Sequence, residues 1–191
     1  YLRPIPNLHI AAPRTADDLR RLLIEAQYMT FPLAIRYPRG KIPENCPEAM
    51  NQSAQTMQAT QLLQGEDVAV LTIGPIGNIA YHAIVDAGLN IALYDMRWLK
   101  PLDNACLDSI GKHYRKVVTI EDGILNGGLG SAVAEYMAQK GYPVQITRLG
   151  VDDQFVEHGS TAELFHLLHL DKEGIADSLT ALCEPKEKPI K

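Results

Sequence analysis

The 191-residue sequence predicts an α/β fold of three layers, in which a mostly parallel sheet carries helices on both faces and follows the remnant of a second α/β domain. Two observations support this fold class. From residue 68 onward, β-rich runs alternate with segments of helical length, which is typical of parallel sheets built with right-handed crossovers. Before residue 40, a single strand–helix–strand pattern is too short to form a domain by itself.

The predicted strands of the main part are β-rich runs, and the first three are almost continuously apolar. Such runs indicate strands that are covered on both faces. Pro101 and Asp103 suit the start of one helix, and Gly141 followed by Pro143 suits the end of another. Strands are predicted at 33–38, 68–74, 91–98, 116–122 and 144–150, and helices at 15–29, 75–87, 102–113, 128–140, 160–170 and 171–183.

Composition divides the chain into three parts. Residues 1–39 are the remnant, in which Thr15 and Asp18 have capping-box spacing at the start of an amphipathic helix. Residues 40–67 are rich in Pro, Gln, Ser and Thr, which is typical of a linker, although "MQATQLLQG" within them could add an edge strand. Residues 68–191 form the main α/β domain.

Charge and cysteine content argue against several function classes. The chain has 18 basic and 23 acidic residues, a net charge of -5, so a nucleic-acid-binding surface is not expected, while a small anion site stays open. No apolar run is long enough to predict a membrane span. Cys46, Cys106 and Cys183 have no zinc or disulfide spacing, so we expect a reduced, cytoplasmic protein. The chain opens at Tyr1 without a methionine, as if an upstream part were missing.

Three loops follow predicted strands, where doubly wound sheets bind ligands. The first, "GPIGN", matches a dinucleotide fingerprint only loosely: Pro75 removes a backbone donor, and Asp95 is the acidic residue about twenty positions on. Nucleotide binding is therefore disfavoured. The second, "EDGILNGGLGS", could bind an anion at a helix start. Close packing of its glycines is favoured instead, because Glu121 and Asp122 would repel a phosphate.

The third loop, "GVDDQFVEHGS", is crowded with ionisable side chains. Acid–base chemistry by its histidine and a plain solvated loop explain this pattern equally well. His166 and His169 lie three positions apart on a predicted helix without an acidic partner at metal spacing, so we expect them at the surface. The ionisable side chains of the loop are Asp152, Asp153, Glu157 and His158.

Two further segments contain arginines. In "DMRWLKPLD", Trp98 is expected to be buried, and Arg97 and Lys100 are expected either to snorkel or to pair with acids. The expected role of this turn is therefore in the architecture or in an interface. In "RYPRG", Arg36 and Arg39 flank a proline. A guanidinium on a rigid turn suits bidentate binding of a phosphate. From the residues alone, an ordinary surface arginine is the favoured alternative.

Five segments, taken together, resemble the family of 1-deoxy-D-xylulose-5-phosphate synthases. They are "YLRPIPNLHIAAP", "IRYPRG", "YDMRWLKPLD", "TIEDGILNGGLGSAV" and "VEHGS". The "GGLGS" and "KPLD" segments are shared loosely with transketolases and 2-oxo-acid dehydrogenase β subunits, whereas "RYPRG" with "YDMRWLKPLD" is more particular. The resemblance spans nearly the whole chain. It implies the last third of such an enzyme: the end of the pyrimidine-binding domain, a linker and a transketolase-type C-terminal domain.

The resemblance also implies a function for the complete enzyme. Members of the family are thiamine-diphosphate- and Mg²⁺-dependent transferases that condense pyruvate with glyceraldehyde 3-phosphate and release CO2, which feeds isoprenoid, thiamine and pyridoxal synthesis. A cytoplasmic homodimer is expected. Carried over to this sequence, Arg39 helps to bind the substrate phosphate, and Arg36 is structural.

The chain departs from the family in what it lacks. The G-D-G…Asn motif for the metal and diphosphate is absent from the sequence, as are the segment with the cofactor-activating glutamate and the histidines near the thiazolium ring. We therefore expect no catalytic, cofactor-binding or metal-binding residue here and no activity from the fragment alone. Two alternatives stay open: the matching part of another thiamine enzyme, and a free-standing regulatory or assembly module.

Overall fold

The computed structural model describes residues 1–39 and 57–183 of the protein. Over those ranges it contains eight strands and six helices, and the strands form two sheets. The strands are β1 (His9–Ala11), β2 (Leu33–Ile35), β3 (Thr60–Leu63), β4 (Val68–Thr72), β5 (Ile91–Asp95), β6 (Trp98–Lys100), β7 (Lys116–Ile124) and β8 (Gln145–Val151). The helices are α1 (Ala16–Ala26), α2 (Ile76–Asp86), α3 (Asn104–His113), α4 (Leu129–Lys140), α5 (Thr161–Leu167) and α6 (Lys172–Cys183).

The larger sheet has the strand order β3-β5-β4-β7-β8. Its strands β5, β4, β7 and β8 are parallel, and β3 pairs antiparallel with β5. The chain passes from β4 through α2 to β5 and then through α3 to β7, on the opposite side of β4. Strand order therefore reverses between β4 and β7, and their carboxyl ends form the crevice where doubly wound sheets bind ligands.

Two apolar layers cover the larger sheet, one on each face. Helices α2 and α6 pack on the face that carries Val68 and Val70. Helices α3 and α4 pack on the face that carries Ala69 and Leu71. All four side chains are fully buried, because side chains of a strand alternate between faces and both faces are covered. The predicted three-layer α/β fold is confirmed.

The smaller sheet, of order β2-β1-β6, joins the N-terminal part to the rest of the protein. Strand β1 pairs parallel with β2 and antiparallel with β6. A small core of Ala11, Leu22 and Trp98 lies beneath this sheet, and Trp98 comes from the main domain. Residues 1–39 are therefore completed by a strand and a buried ring from later in the chain.

The strand predicted at 91–98 is wrong at its end, because β5 stops at Asp95. The Arg97 N–H donates to the Asp95 carboxylate at 3.1 Å, and Arg97 has a left-handed φ of 52°, so the extended chain turns there. Residues Trp98–Lys100 then pair with β1 instead. The β-rich run continues through the turn in the sequence, so its pattern does not reveal where the chain changes sheets.

Strand β3 lies within residues 40–67, the predicted linker. The edge strand suggested by "MQATQLLQG" is present: Thr60 and Leu62 are buried, and the strand pairs with β5 at the edge of the larger sheet. The proline-containing segment 40–56 and Cys46 lie outside the described residues. The division into remnant, linker and main domain stays a prediction.

The helices begin and end close to the predicted positions. The Asp18 N–H donates to Thr15 Oγ1 at 3.1 Å, and the Thr15 N–H donates back to Asp18 Oδ2 at 3.2 Å, which completes the predicted capping box. Asp103 caps α3 by accepting the Cys106 N–H at 3.0 Å. Gly141 ends α4 with a φ of 69°. Within 1–39 and 57–183, none of the helices has the length and apolar character that a membrane crossing requires.

Candidate functional site

The RYPRG turn is held at the crevice between the carboxyl ends of β4 and β7. Arg36 follows β2, and its Nη1 donates to Asp122 Oδ1 near the end of β7 at 2.6 Å. The Arg36 N–H donates to the Ala11 carbonyl at 2.8 Å. A Cβ built on Gly74, just after β4, would lie 4.0 Å from Arg36 Nη1. The turn therefore starts where doubly wound sheets bind their ligands.

The Arg36–Asp122 ion pair orients the turn but contributes little to the stability of the fold. The Arg36 side chain is 54% exposed and the Asp122 side chain is 16% exposed. An ion pair with one partner this open to solvent contributes at most about 1 kcal/mol. The pair supports the expectation that Arg36 is structural, because its guanidinium is already bound to a carboxylate.

Arg39, predicted to bind the substrate phosphate, lies three positions further along the same turn. It is exposed, and within the described ranges it has no hydrogen bond or ion pair to another side chain. Pro38 restricts the backbone one position before it. A guanidinium presented in this way suits bidentate contact with a phosphate. The role of Arg39 stays a prediction.

The glycine-rich turn after β7 encloses a carboxylate of the protein itself, that of Glu121. The Glu121 carboxylate accepts the N–H groups of Leu129 and Gly130, each at 2.9 Å, so it occupies the N-terminus of α4. A Cβ on Gly128 would come within 1.8 Å of Glu121 Oε2. Burial raises the pKa of Glu121, and the two N–H donors oppose this rise. This geometry supports close packing of the glycines over binding of an external anion.

The "GPIGN" loop is packed against the N-terminal part. Asn78 Oδ1 accepts a hydrogen bond from Arg14 Nη1 at 2.5 Å, and Asn78 Nδ2 donates to the Arg14 carbonyl at 3.3 Å. A Cβ on Gly77 would lie 2.7 Å from Thr72 Oγ1 and 3.2 Å from Arg14 Cδ. The glycine thus permits close approach of protein groups, in agreement with the low expectation of nucleotide binding.

The acidic loop after β8 does not bring its candidate acids and base together. All four candidate side chains are exposed, and none has a hydrogen bond or ion pair to a described residue. This supports the solvated-loop interpretation. His166 is exposed as expected, and its Nδ1 lies 2.7 Å from Asp171 Oδ2. The four side chains are Asp152, Asp153, Glu157 and His158.

A group of four charges at the junction of the two sheets, three of them buried and one partly buried, was missed in the sequence. Arg97 Nη2 lies 3.1 Å from Asp18 Oδ1 and 3.6 Å from Asp95 Oδ2, and Arg14 Nε lies 3.8 Å from Asp95 Oδ2. Two of the charges come from the N-terminal part, one from the last residue of β5 and one from the turn that follows it. A signal was present, because both arginines stand next to apolar runs, "IAAPR" and "DMRWL", where a buried charge needs a partner.

Asp95 is committed to this group. Burial raises its pKa to about 6, while the guanidinium groups of Arg97 and Arg14 act to lower it. A fully buried carboxylate between two arginines is not available to a ribose, so the loose fingerprint has no acidic partner. Of the two alternatives open for Arg97, the structure shows pairing with acids. Lys100 differs, because its Nζ donates to the backbone carbonyls of Arg3 and Ile5.

The described residues do not fit thiamine diphosphate and Mg²⁺, the cofactors that the resemblance implies for the complete enzyme. Within 1–39 and 57–183, no three His, Cys, Asp or Glu side chains are placed to hold a metal ion. The N-terminus of α4, which could attract a diphosphate, is filled by the Glu121 carboxylate. No step of cofactor chemistry is therefore assigned to these residues.

The family of the fold follows from comparison with known proteins. Residues 57–175 match the family model described as "Transketolase, C-terminal domain". The chain therefore belongs to the transketolase C-terminal domain family. The match includes β3 at its start and ends within α6.

Curated relatives point to a particular group of enzymes. The chain is 48% identical over 188 residues to the 1-deoxy-D-xylulose-5-phosphate synthase of Bacteroides fragilis, which is 94% of this chain and 28% of the relative. It is 48% identical over 183 residues to the synthase of Phocaeicola vulgatus, with 92% and 28% covered. The chain thus spans about 28% of the length of these relatives. The resemblance to synthases is confirmed.

Solved structures agree with the fold. A structure described as a split-gene transketolase, an inactive β4 tetramer, has a TM-score of 0.81 and 27% identity, and the match covers 95% of this chain and 60% of that chain. Transketolase from Campylobacter jejuni has a TM-score of 0.68 at 12% identity, over 94% of this chain and 27% of that chain. At that identity the second likeness concerns the fold alone.

Proposed function

We propose that the chain is the C-terminal part of a 1-deoxy-D-xylulose-5-phosphate synthase. In the complete enzyme, pyruvate loses CO2, and the remaining two-carbon unit is joined to the aldehyde carbon of glyceraldehyde 3-phosphate. It is a cytoplasmic homodimeric transferase that uses thiamine diphosphate and Mg²⁺, held by residues outside this chain. The contribution of this chain to the site is Arg39, which binds the phosphate of the aldehyde substrate.

One observation carries the assignment of Arg39. The Arg36–Asp122 contact of 2.6 Å anchors the RYPRG turn at the reversal of strand order between β4 and β7. Ligands of doubly wound sheets bind at this crevice. Both arginines of the turn are exposed, but Arg36 is paired with Asp122, whereas Arg39 has no ion pair to a described residue. An exposed guanidinium at such a crevice suits a substrate that carries a phosphate.

The remaining loops at this edge are assigned architectural roles. The α4 N-terminus is occupied by Glu121, and the first turn of α2 is occupied by Arg14 through Asn78. The Glu121 carboxylate and the Asn78 amide are thus hydrogen-bonded within the protein. In the complete enzyme, this domain supports the cofactor-binding domains and supplies the turn that meets the phosphate.

The test is Arg39→Ala in the complete enzyme. Loss of a charge-assisted contact to phosphate should raise KM for glyceraldehyde 3-phosphate by about 10- to 100-fold and leave KM for pyruvate nearly unchanged. Arg115→Ala is the matched control. Arg115 is also exposed, but it precedes β7 and so lies at the amino ends of the parallel strands, away from the crevice. An Arg39 variant that behaves like the Arg115 variant would remove the assignment.

A second measurement tests the reaction itself. The complete enzyme should use glyceraldehyde 3-phosphate far better than D-glyceraldehyde, which lacks the phosphate. Arg39→Ala should shrink this preference, because the variant loses only the contact that distinguishes the two aldehydes. A complete enzyme indifferent to the phosphate would point to another thiamine enzyme with the same C-terminal domain.

A further inference from the structure

We propose that Asp122 is a positioning residue for the phosphate-binding turn: through its ion pair with Arg36, it fixes the orientation in which Arg39 meets the phosphate. This inference deepens the proposed function and rests on it. Asp122 does not itself touch the substrate in this arrangement. Its carboxylate acts on the substrate only by holding the first arginine of the turn.

Asp122 lies at an irregularity in the pairing of β7 with β8. Ile120 pairs with Leu149 and Ile124 pairs with Val151, and the register shifts between these two pairs. The adjacent Glu121 is buried and accepts two N–H hydrogen bonds from the first turn of α4. The strand pairs at Ile120 and Ile124 and the hydrogen bonds of Glu121 hold the chain on both sides of Asp122, so its carboxylate can orient another element.

In the Arg36–Asp122 ion pair, the backbone that carries Arg36 is the less constrained of the two. Arg36 follows β2, an edge strand of the smaller sheet that neighbours β1 among the described strands. The contact between Arg36 Nη1 and Asp122 Oδ1 ties this edge to the larger sheet. Arg39 lies three residues further on, a span of at most about 10 Å along the chain, and Pro38 stiffens the path between them. An anchor at Arg36 thus limits where Arg39 can lie.

An anchoring role and a purely electrostatic role of Asp122 predict opposite effects of its removal on substrate binding. If the carboxylate acted only through space, its removal would lessen repulsion of a nearby phosphate and strengthen substrate binding. If it acts as an anchor, its removal loosens the turn, and binding weakens because the turn must then be ordered when the substrate arrives. The sign of the change in KM separates the two. We expect weaker binding.

The experiment compares Asp122→Asn with Asp152→Asn in the complete enzyme. Asp152 is an exposed carboxylate just after β8, also at the carboxyl ends of the parallel strands, so it is a matched control for charge. Asp122→Asn should raise KM for glyceraldehyde 3-phosphate about fivefold, with KM for pyruvate and the melting temperature unchanged. Asp152→Asn should change none of these. A lower KM in Asp122→Asn, or equal changes in both variants, would overturn the proposal.

A double-mutant cycle with Arg39 makes the test specific. In the Arg39→Ala background, Asp122→Asn should cause no further rise in KM for glyceraldehyde 3-phosphate, because the group that it positions is absent. Effects that multiply would mean that Asp122 acts independently, and the proposal would fall. Arg39→Ala without effect would defeat the proposed function, whereas an inert Asp122→Asn beside an impaired Arg39→Ala would defeat only this inference.

Two further variants guard against a folding defect. Asp122→Glu keeps the carboxylate, so it should bring KM for glyceraldehyde 3-phosphate most of the way back to the parent value. The charge-reversed double variant Arg36→Asp with Asp122→Arg should bind the phosphorylated aldehyde better than Arg36→Asp alone, since the pair is restored in the opposite sense. A lower melting temperature accompanied by higher KM values for both substrates would show a structural role only and would overturn the positioning role.

Discussion

Arg97 Nη2 lies 3.1 Å from Asp18 Oδ1, and this contact joins the turn after β5 to the first turn of α1. Both residues are largely buried, so the charges depend on each other for compensation. A buried ion pair is weak support for stability by itself, but loss of one partner leaves an uncompensated charge. The junction of the two sheets is therefore sensitive to single substitutions.

We expect Arg97→Met to lower the free energy of unfolding of the chain by about 3 to 5 kcal/mol at neutral pH. The substitution keeps an apolar stem but leaves Asp18 and Asp95 without their shared arginine. Urea denaturation followed by the fluorescence of Trp98, the single tryptophan of the chain, measures the change. Arg20→Met is the control, because its pair with Asp17 is exposed and contributes at most about 1 kcal/mol. Equal losses in the two variants would contradict the prediction.

We expect Asp95→Asn to remove part of the pH dependence of stability. The pKa of Asp95 is raised to about 6 in the folded protein by burial, against about 4 in an unfolded chain. Between these values the folded state binds more protons, so the contribution is present below the unfolded pKa and is lost as pH rises through about 6. The free energy of unfolding of the parent minus that of the variant should fall by about 2 to 3 kcal/mol over this window.

Asp108→Asn serves as a control of opposite sign. Tyr136 and Tyr142 donate hydrogen bonds to Asp108 Oδ1 at 2.7 and 3.0 Å, and they lower the pKa of this carboxyl group. Its contribution to stability is present at neutral pH and lost as pH falls below about 4. Denaturation curves across the acidic range should show opposite trends for the two variants. The same trend in both would contradict the assignment for Asp95.

We expect Gly128→Ala to lower the free energy of unfolding by about 1 to 3 kcal/mol. The new Cβ would come within 1.8 Å of Glu121 Oε2 and displace the carboxylate that caps α4. Gly123→Ala is the control, since its Cβ would lie 4.0 Å from the same oxygen. Urea denaturation at neutral pH compares the two. A Gly128 variant as stable as the Gly123 variant would show that the turn adjusts without losing the cap.

We expect the 191-residue chain alone to bind neither thiamine diphosphate nor pyruvate. The sequence lacks the G-D-G…Asn motif, and among the described residues no three His, Cys, Asp or Glu side chains are placed together to hold a metal ion. Isothermal titration with thiamine diphosphate and Mg²⁺ should show no saturable heat, whereas the complete enzyme should. Saturable binding or turnover by the chain alone would disprove this expectation.

Local signals were sufficient for most of the elements. Thr15 with Asp18, Asp103, and Gly141 mark helix ends through contacts within a few residues, so their positions follow from the sequence. The alternation of apolar runs and helical segments likewise specifies the layers, because it reflects burial on both faces of the sheet. The Gly-rich turn could be interpreted correctly since Glu121 is seven residues from Gly128.

The features that could not be predicted from the sequence depend on contacts between residues far apart in the chain. The end of β5 depends on Asp95 and Arg97, whose partners Arg14 and Asp18 lie about eighty residues earlier, so no local pattern shows the turn. Strand β3 has two polar and two apolar residues, and its place is decided by pairing with β5. At the candidate site, Arg39 came from the family resemblance, while the Arg36–Asp122 contact spans 86 positions and became visible only in the folded chain.

The strand exchange between the sheets limits how the protein can be recombined. Trp98–Lys100 is encoded within the main domain but forms the third strand of the N-terminal sheet, and the Trp98 ring fills its core. A chimera that joins residues 1–39 to the C-terminal domain of a distant relative inherits a foreign strand and a foreign ring. Crossovers placed in the linker should therefore give functional hybrids only when the donor supplies a compatible DMRWLK segment.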